Sequence, residues 1–104
     1  IPERLFTNTQ LGALQEIRSV VECECPNHVA ELVLGLSMFE DYSARCLNKD
    51  DADAAIHRML HQETAAARAL MEKALQRLCE HESIDPDSLA ERERLTSFAR
   101  ASGS

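Results

Sequence analysis

The densest group of reactive side chains in this 104-residue chain is Cys23-Glu24-Cys25-Pro26-Asn27-His28, with two thiols and one imidazole within six residues. Thiolate and imidazole are the ligands of zinc and of softer metal ions, so Cys23, Cys25 and His28 form a candidate metal set. The paired C-x-x-C units of a strong zinc signature are absent, and a fourth ligand has to come from elsewhere. Cys46 lies on the same helix about 30 Å further along its axis and is out of reach. Cys79 or His81, at the far end of a later antiparallel helix, can return towards Cys25. The plainer alternative is two half-buried loop cysteines and a histidine in a capping turn. If Cys25 caps the helix that begins at Pro26, the helix dipole favours its thiolate, while Glu22 and Glu24 oppose a further negative charge.

Two other groups have chemical potential. His57 and His61 stand at i and i+4, which places both imidazoles on one helix face, but no HExxH pattern surrounds them. Half-exposed boundary histidines are the ordinary outcome of that spacing. Glu40 and Glu63 fall on or beside apolar stripes and need partners when buried; His61, Arg68, Tyr42 and Ser43 are available. Di-metal bundles require Glu-x-x-His on two helices, and neither glutamate has a histidine at i+3, so a structural hydrogen-bond network is the expectation. No glycine-rich phosphate loop and no G-x-S-x-G occurs, and the chain is read as non-enzymatic.

The elements that must position these groups are helices. From Val29 the pattern Val29, Leu32, Leu36, Phe39, Ser43, Cys46 steps by three and four, the seam of a helix packed along other helices. This second helix is predicted from Pro26 to about Leu47, with Cys25 as its cap. A first helix, capped by Asn8 or Thr9, is predicted to run to about Val21 on Leu11, Leu14, Ile17 and Val21; before it, Leu5 and Phe6 can tuck against the bundle. A third runs from Asp51 to about Glu82 on Ile56, Leu60, Glu63, Ala67, Leu70, Ala74 and Leu78. Its small-sided stretch 64–69 allows a neighbour to approach closely. Asp85-Pro86 announces a fourth helix to about Arg100 with a thin apolar set of Leu89, Leu95 and Phe98.

Short loops force long neighbours to run antiparallel. The expected fold is all-α, an up-down antiparallel helical bundle of three main helices plus a short fourth C-terminal helix. Residues 1–84 form the bundle, and residues 85–104 a C-terminal helix and flexible end. Leu32, Leu36, Phe39, Leu60, Leu70 and Leu78 are the expected core, and the overhang of the third helix favours self-association.

The totals fit one helical domain. Apolar residues make up 44% but aromatic residues only 4%, with three glycines and three prolines. The formal charge of −7 opposes contact with nucleic acid or with an anionic membrane, both of which need a basic surface. No apolar run approaches the ~18 residues of a membrane span, and no export signal opens the chain. Cys23, Cys25, Cys46 and Cys79 are not spaced as a secreted disulfide scaffold, and C-x-C is too short to close easily on itself, so a reduced, cytoplasmic protein is expected.

The stretches IPERLFTNTQLGAL, ECECPNHVAELVLGLSMFEDYSARC and DADAAIHRMLHQETAAARALMEKALQRLCEHE together resemble the C-terminal helical region of certain MerR-like bacterial transcription regulators. The resemblance covers Ile1 to Ile84. Its most specific residues are Cys23-Glu24-Cys25-Pro26, Phe39-Glu40 and Tyr42-Ser43, and it does not extend past Pro86. In those regulators a winged helix-turn-helix and a middle region, sometimes cobalamin-binding-like, precede this tail. The resemblance implies a regulatory and oligomerisation module, a homodimer attached to the rest of a regulator chain, whose DNA-reading part lies outside these residues. It assigns no ligand. The rival expectation is a metal- or redox-sensing module built on Cys23, Cys25 and His28.

Overall fold

The computed structural model describes residues 1–17 and 23–91, and among them every regular element is a helix. Helix α1 spans Asn8–Glu16, α2 Cys25–Arg45 and α3 Asp51–His81. A further helix, α4, begins at residue 86 and is described as far as residue 91. Its predicted continuation to about Arg100, with Leu95 and Phe98, falls outside the described residues. The all-α reading and the three main helices stand, with α2 packed along α3 and α1 packed against α2.

Local chemistry sets the ends. Helix α1 is capped by Thr7, not by Asn8 or Thr9. The Thr7 hydroxyl accepts from the Gln10 N–H, and the Gln10 side chain accepts from the Thr7 N–H, a reciprocal pair that satisfies two otherwise unpaired donors. Predicted to run to about Val21, the helix closes at Glu16, where Ile17 is already extended (φ −61°, ψ 117°) and cannot continue it. Residues 18–22 fall outside the described residues. Helix α2 begins one residue earlier than expected: Cys25 is its first helical residue, Pro26 follows, and Glu24 is the N-cap without a side-chain cap bond. The expectation of Cys25 as cap is therefore corrected. Proline needs no N–H partner anywhere in the first turn, so its presence left the register open by one residue. The helix closes at Arg45, two residues short of Leu47.

Asp50 caps α3 by accepting from the Asp53 N–H at 2.8 Å, and the Asp53 carboxylate accepts from the Lys49 N–H at 3.0 Å. Asp51 and Asp53 put negative charge in the first turn, where the dipole favours it. At the other end the N–H of Ile84 reaches the carbonyl of Cys79 at 2.8 Å and that of Ser83 reaches Glu80 at 3.3 Å. Ser83 is accordingly left-handed, with φ 57°. This is the Schellman closure in a sequence without the usual glycine. Asp85 then caps α4, accepting from the Asp87 N–H at 3.0 Å.

The apolar core gathers Phe6, Leu11, Leu14, Ala30, Val33, Leu75 and Cys79, with Val29, Leu34, Met71, Ile84 and Leu89 packed against it. It is not the expected one. Leu32, Phe39 and Leu70 are exposed, and Leu36, Leu60 and Leu78 are half-buried. Helix α2 instead buries Pro26, Ala30, Val33, Ser37, Glu40 and Ser43, and α3 buries Thr64, Ala65, Arg68, Glu72, Leu75 and Cys79. Each helix is rotated by roughly a quarter to a third of a turn from its expected seam, at about 100° per residue. Apart from Val33 and Leu75, the inward-facing positions of this pair are mostly small or charged, and the charged ones are paired.

The left-handed residue offers a direct test. Ser83→Gly removes the Cβ penalty at φ 57°, and the gain outweighs glycine's extra unfolded-state freedom to leave about 0.5 kcal/mol of added stability. Thermal unfolding by circular dichroism should show a midpoint raised by a few degrees, and Ser83→Val, β-branched in the same conformation, should lower it.

Candidate functional site

Two clusters of polar chemistry stand out, one buried and one exposed. The buried one is centred on Arg68, which is 1% exposed. Its Nε donates to Glu40 Oε1 at 2.7 Å and its Nη1 to Glu72 Oε1 at 2.6 Å. The remaining donors reach Glu40 Oε2 at 3.4 Å and the carbonyls of Pro2 at 2.7 Å and Glu3 at 3.2 Å. All five guanidinium N–H groups are thereby engaged. Glu72 Oε2 in turn accepts from the backbone N–H groups of Leu5 and Phe6 at 2.8 and 3.0 Å. Arg4 extends the network, donating to Ser37 Oγ and to Asp41 Oδ1, with Glu40 at 3.4 Å.

The network ties three segments far apart in the chain, and its charges govern one another. Burial pushes the Glu40 carboxyl upwards, but the hydrogen bond and charge of Arg68, with help from Arg4 and His61, outweigh it and hold the group below the usual carboxylate range. The hydrogen bond from Glu40 likewise keeps Arg68 more firmly protonated against the pull of burial. No buried side-chain nitrogen or oxygen among the described residues lacks a partner. Such a saturated cluster holds the chain together and leaves no group to offer a ligand. The expected inward carboxylate at Glu40 is thus found with Arg68 as its main partner, whereas Glu63 is exposed and belongs to no inward pair. Glu72, which completes the triad, carries the i+4 spacing from Arg68 that marks a helical ion pair.

The exposed cluster is the expected cysteine motif. Cys23 and Cys25 are free thiols on the surface, their sulfurs 2.9 Å apart, and the Cys25 N–H points to the Cys23 sulfur at 3.4 Å. The hydrogen bond and charge of Cys23, then slight burial and Glu82, raise the Cys25 thiol above its ordinary range. The neighbouring sulfur thus overrides the dipole at the start of α2. The His28 Nε2 lies 3.5 Å from Glu24. Cys79 is buried in the apolar core, where burial and Glu80 raise its thiol, and His81 is exposed at the end of α3. Among the described residues no three His, Cys, Asp or Glu side chains converge as a metal cage. Cys23 and Cys25 are brought together, and His28 is not brought to them.

His57 and His61 are both half-buried, as boundary histidines are expected to be: the His57 Nδ1 meets Asn48 Oδ1 in the α2–α3 loop at 2.7 Å and the His61 Nδ1 meets the Glu40 carbonyl of α2 at 3.0 Å. With Ser43, Cys46 and Arg58 they line a shallow open groove near the α2–α3 turn. Among the described residues no helix is long and apolar enough to cross a membrane. Comparison of the chain with family models, with curated proteins and with solved structures gives no match.

Removing the central cation tests the network. Arg68→Ala strands Glu40 and Glu72 together in the interior and should cost about 3–5 kcal/mol at pH 7 in urea unfolding. The pH response should change sign. In the wild type, Glu40 has a lowered folded pKa, so its stabilisation is present above the unfolded value of about 4.5 and is lost as pH falls through the folded value. In Arg68→Ala the carboxyls lack their cation, protonation relieves them, and acidification from pH 7 towards 5 should recover stability.

Proposed function

We propose that this chain is a non-enzymatic regulatory and oligomerisation module of a MerR-like bacterial transcription regulator. In this reading it forms a homodimer in the cytoplasm and is attached to the rest of the regulator chain, and it makes no nucleic-acid contact of its own. The observation that carries the reading is an apolar face left open on the α2–α3 pair. Leu32 is 56% exposed, Phe39 42% and Ile56 52%, in line with the half-buried Leu36, Leu60 and Leu78.

These residues belong to one surface. On both helices the apolar stripe is displaced from the line of contact in the same rotational sense. Because the helices are antiparallel, equal rotations bring both stripes to the same side of the pair. The opposite side is taken by α1, where Leu34 packs on the core and Asn27 meets the end of α1. The open face runs about 10 Å along α2, from Leu32 to Phe39, and about 33 Å along α3, from Ile56 to Leu78. Two copies joined there form a four-helix arrangement in which the expected seam is buried after all.

The motif residues divide accordingly. Glu40 and Ser43 point into the α2–α3 contact, whereas Phe39 and Tyr42 point outwards with their rings stacked at 6.1 Å. The acidic balance of −7 supports a role away from nucleic acid. No metal and no catalytic set is required.

Sedimentation equilibrium at micromolar protein should give twice the 11.6 kDa chain mass. The double variant Leu32→Glu, Phe39→Glu should sediment as one chain with its helicity unchanged, since both side chains are exposed within a single copy. A wild type of single-chain mass, or a double variant that stays dimeric, would exclude this face.

A further inference from the structure

The thiol pair at the start of α2 is absorbed neither by the buried network nor by the apolar face, and its geometry is specific. Two free sulfurs stand 2.9 Å apart at the surface, two residues apart in sequence, with no third ligand gathered around them among the described residues. We propose that Cys23 and Cys25 form a chelating dithiol site for trivalent organic arsenicals, R–As(OH)2. The proposal is independent of the oligomeric reading above.

The choice of ligand follows from what each candidate demands. Zinc in a structural site takes four ligands in a tetrahedron, and among the described residues two sulfurs are assembled here. A linear two-coordinate ion sets its sulfurs on opposite sides of the metal, far wider than this pair. Closure to a disulfide needs an external oxidant and an unusually small ring. Pyramidal trivalent arsenic is different. It holds two sulfurs at near right angles, so they sit close together, and it reacts with protonated thiols.

The step balances without an oxidant. Two S–H bonds and two As–O bonds break, two As–S bonds form, and each thiol proton leaves with a hydroxyl as water: R–As(OH)2 + 2 Cys–SH → R–As(S–Cys)2 + 2 H2O. Arsenic remains trivalent throughout. Once the first sulfur is bonded, the second is already within reach, and this tethering confers the advantage over a single thiol. Among the described residues, Glu24, His28 and Glu82 are charged or titratable groups near the pair. None is needed in the reaction.

The probe is phenylarsine oxide, added to reduced protein in the presence of excess glutathione. Expected is one arsenical per chain by intact mass, loss of two of the four free thiols to a thiol reagent, and reversal by a small dithiol. Cys23→Ser and Cys25→Ser should each weaken binding at least about 100-fold, the lower end of the gain from a tethered second ligand. Cys46→Ser should bind as the wild type does. Because Cys23 and Cys25 are exposed, circular dichroism of both serine variants should match the wild type. Absence of a glutathione-resistant adduct, or an adduct unchanged in Cys23→Ser and Cys25→Ser, would overturn the proposal.

Discussion

A buried guanidinium between two carboxylates dictates how this protein packs. Arg68, Glu40 and Glu72 are each almost wholly out of water, and ions in that position are tolerated only where every one is paired and hydrogen-bonded. Meeting that condition fixes much else. Glu40 and Arg68 meet only if α2 and α3 face each other along Ser37, Glu40, Thr64 and Arg68. Glu72 is satisfied only if the backbone of Leu5 and Phe6 lies across it, and the last donors of Arg68 require the carbonyls of Pro2 and Glu3. The N-terminal segment is therefore held chiefly by charge and backbone hydrogen bonds, with Phe6 as its apolar plug.

The same constraint explains why the long apolar side chains are on the outside. A helix carries one face towards each neighbour, and in α2 and α3 that face is taken by the triad and by the small residues that allow close approach. The stretch 64–69 is small-sided as expected, and Thr64 and Ala65 are the residues that use it. The leucine stripe is left to one side of the pair. An apolar stripe of this regularity, left partly exposed by the described residues, is the physical basis for proposing a second copy there.

Much of this was legible in the residues themselves, and the failures are instructive. The helical periods, Asp50 before α3 and Asp85-Pro86 before α4 located the elements to within a few residues, because caps and proline act locally. Thr7 and Gln10 form a capping box that a T-x-x-Q pattern encodes, although Asn8 and Thr9 competed for the same role. Ser83 could not be read, since the usual sign of a left-handed closure is glycine. The rotation of the α2 and α3 faces was hidden for a deeper reason. Periodicity ranks faces by hydrophobicity, and a face of Ser, Glu, Thr and Arg ranks as solvent unless the charges are known to find each other across two helices. For the candidate site, spacing alone brought Cys23 and Cys25 together, because i and i+2 leave little freedom at a helix start. It could not orient His28, whose i+4 relation to Glu24 offered a carboxylate partner.

The exposed thiols and the core are joined through one intervening side chain. Asn27 stands two residues after Cys25, and its Nδ2 lies 2.9–3.1 Å from the carbonyls of Leu14, Gln15 and Ile17. These are carbonyls that the end of α1 cannot satisfy within the helix, so the first turn of α2 supplies the cap that α1 lacks. Leu11 and Leu14 of α1 are in turn fully enclosed with Val33 and Leu75. A change at the Cys23–Cys25 turn that moved Asn27 would open donors and acceptors at the end of α1, each worth on the order of 1 kcal/mol. Chemistry at the sulfurs can therefore either be absorbed by the loop before Cys25 or be felt by the core through Asn27. The single turn of helix between them decides which.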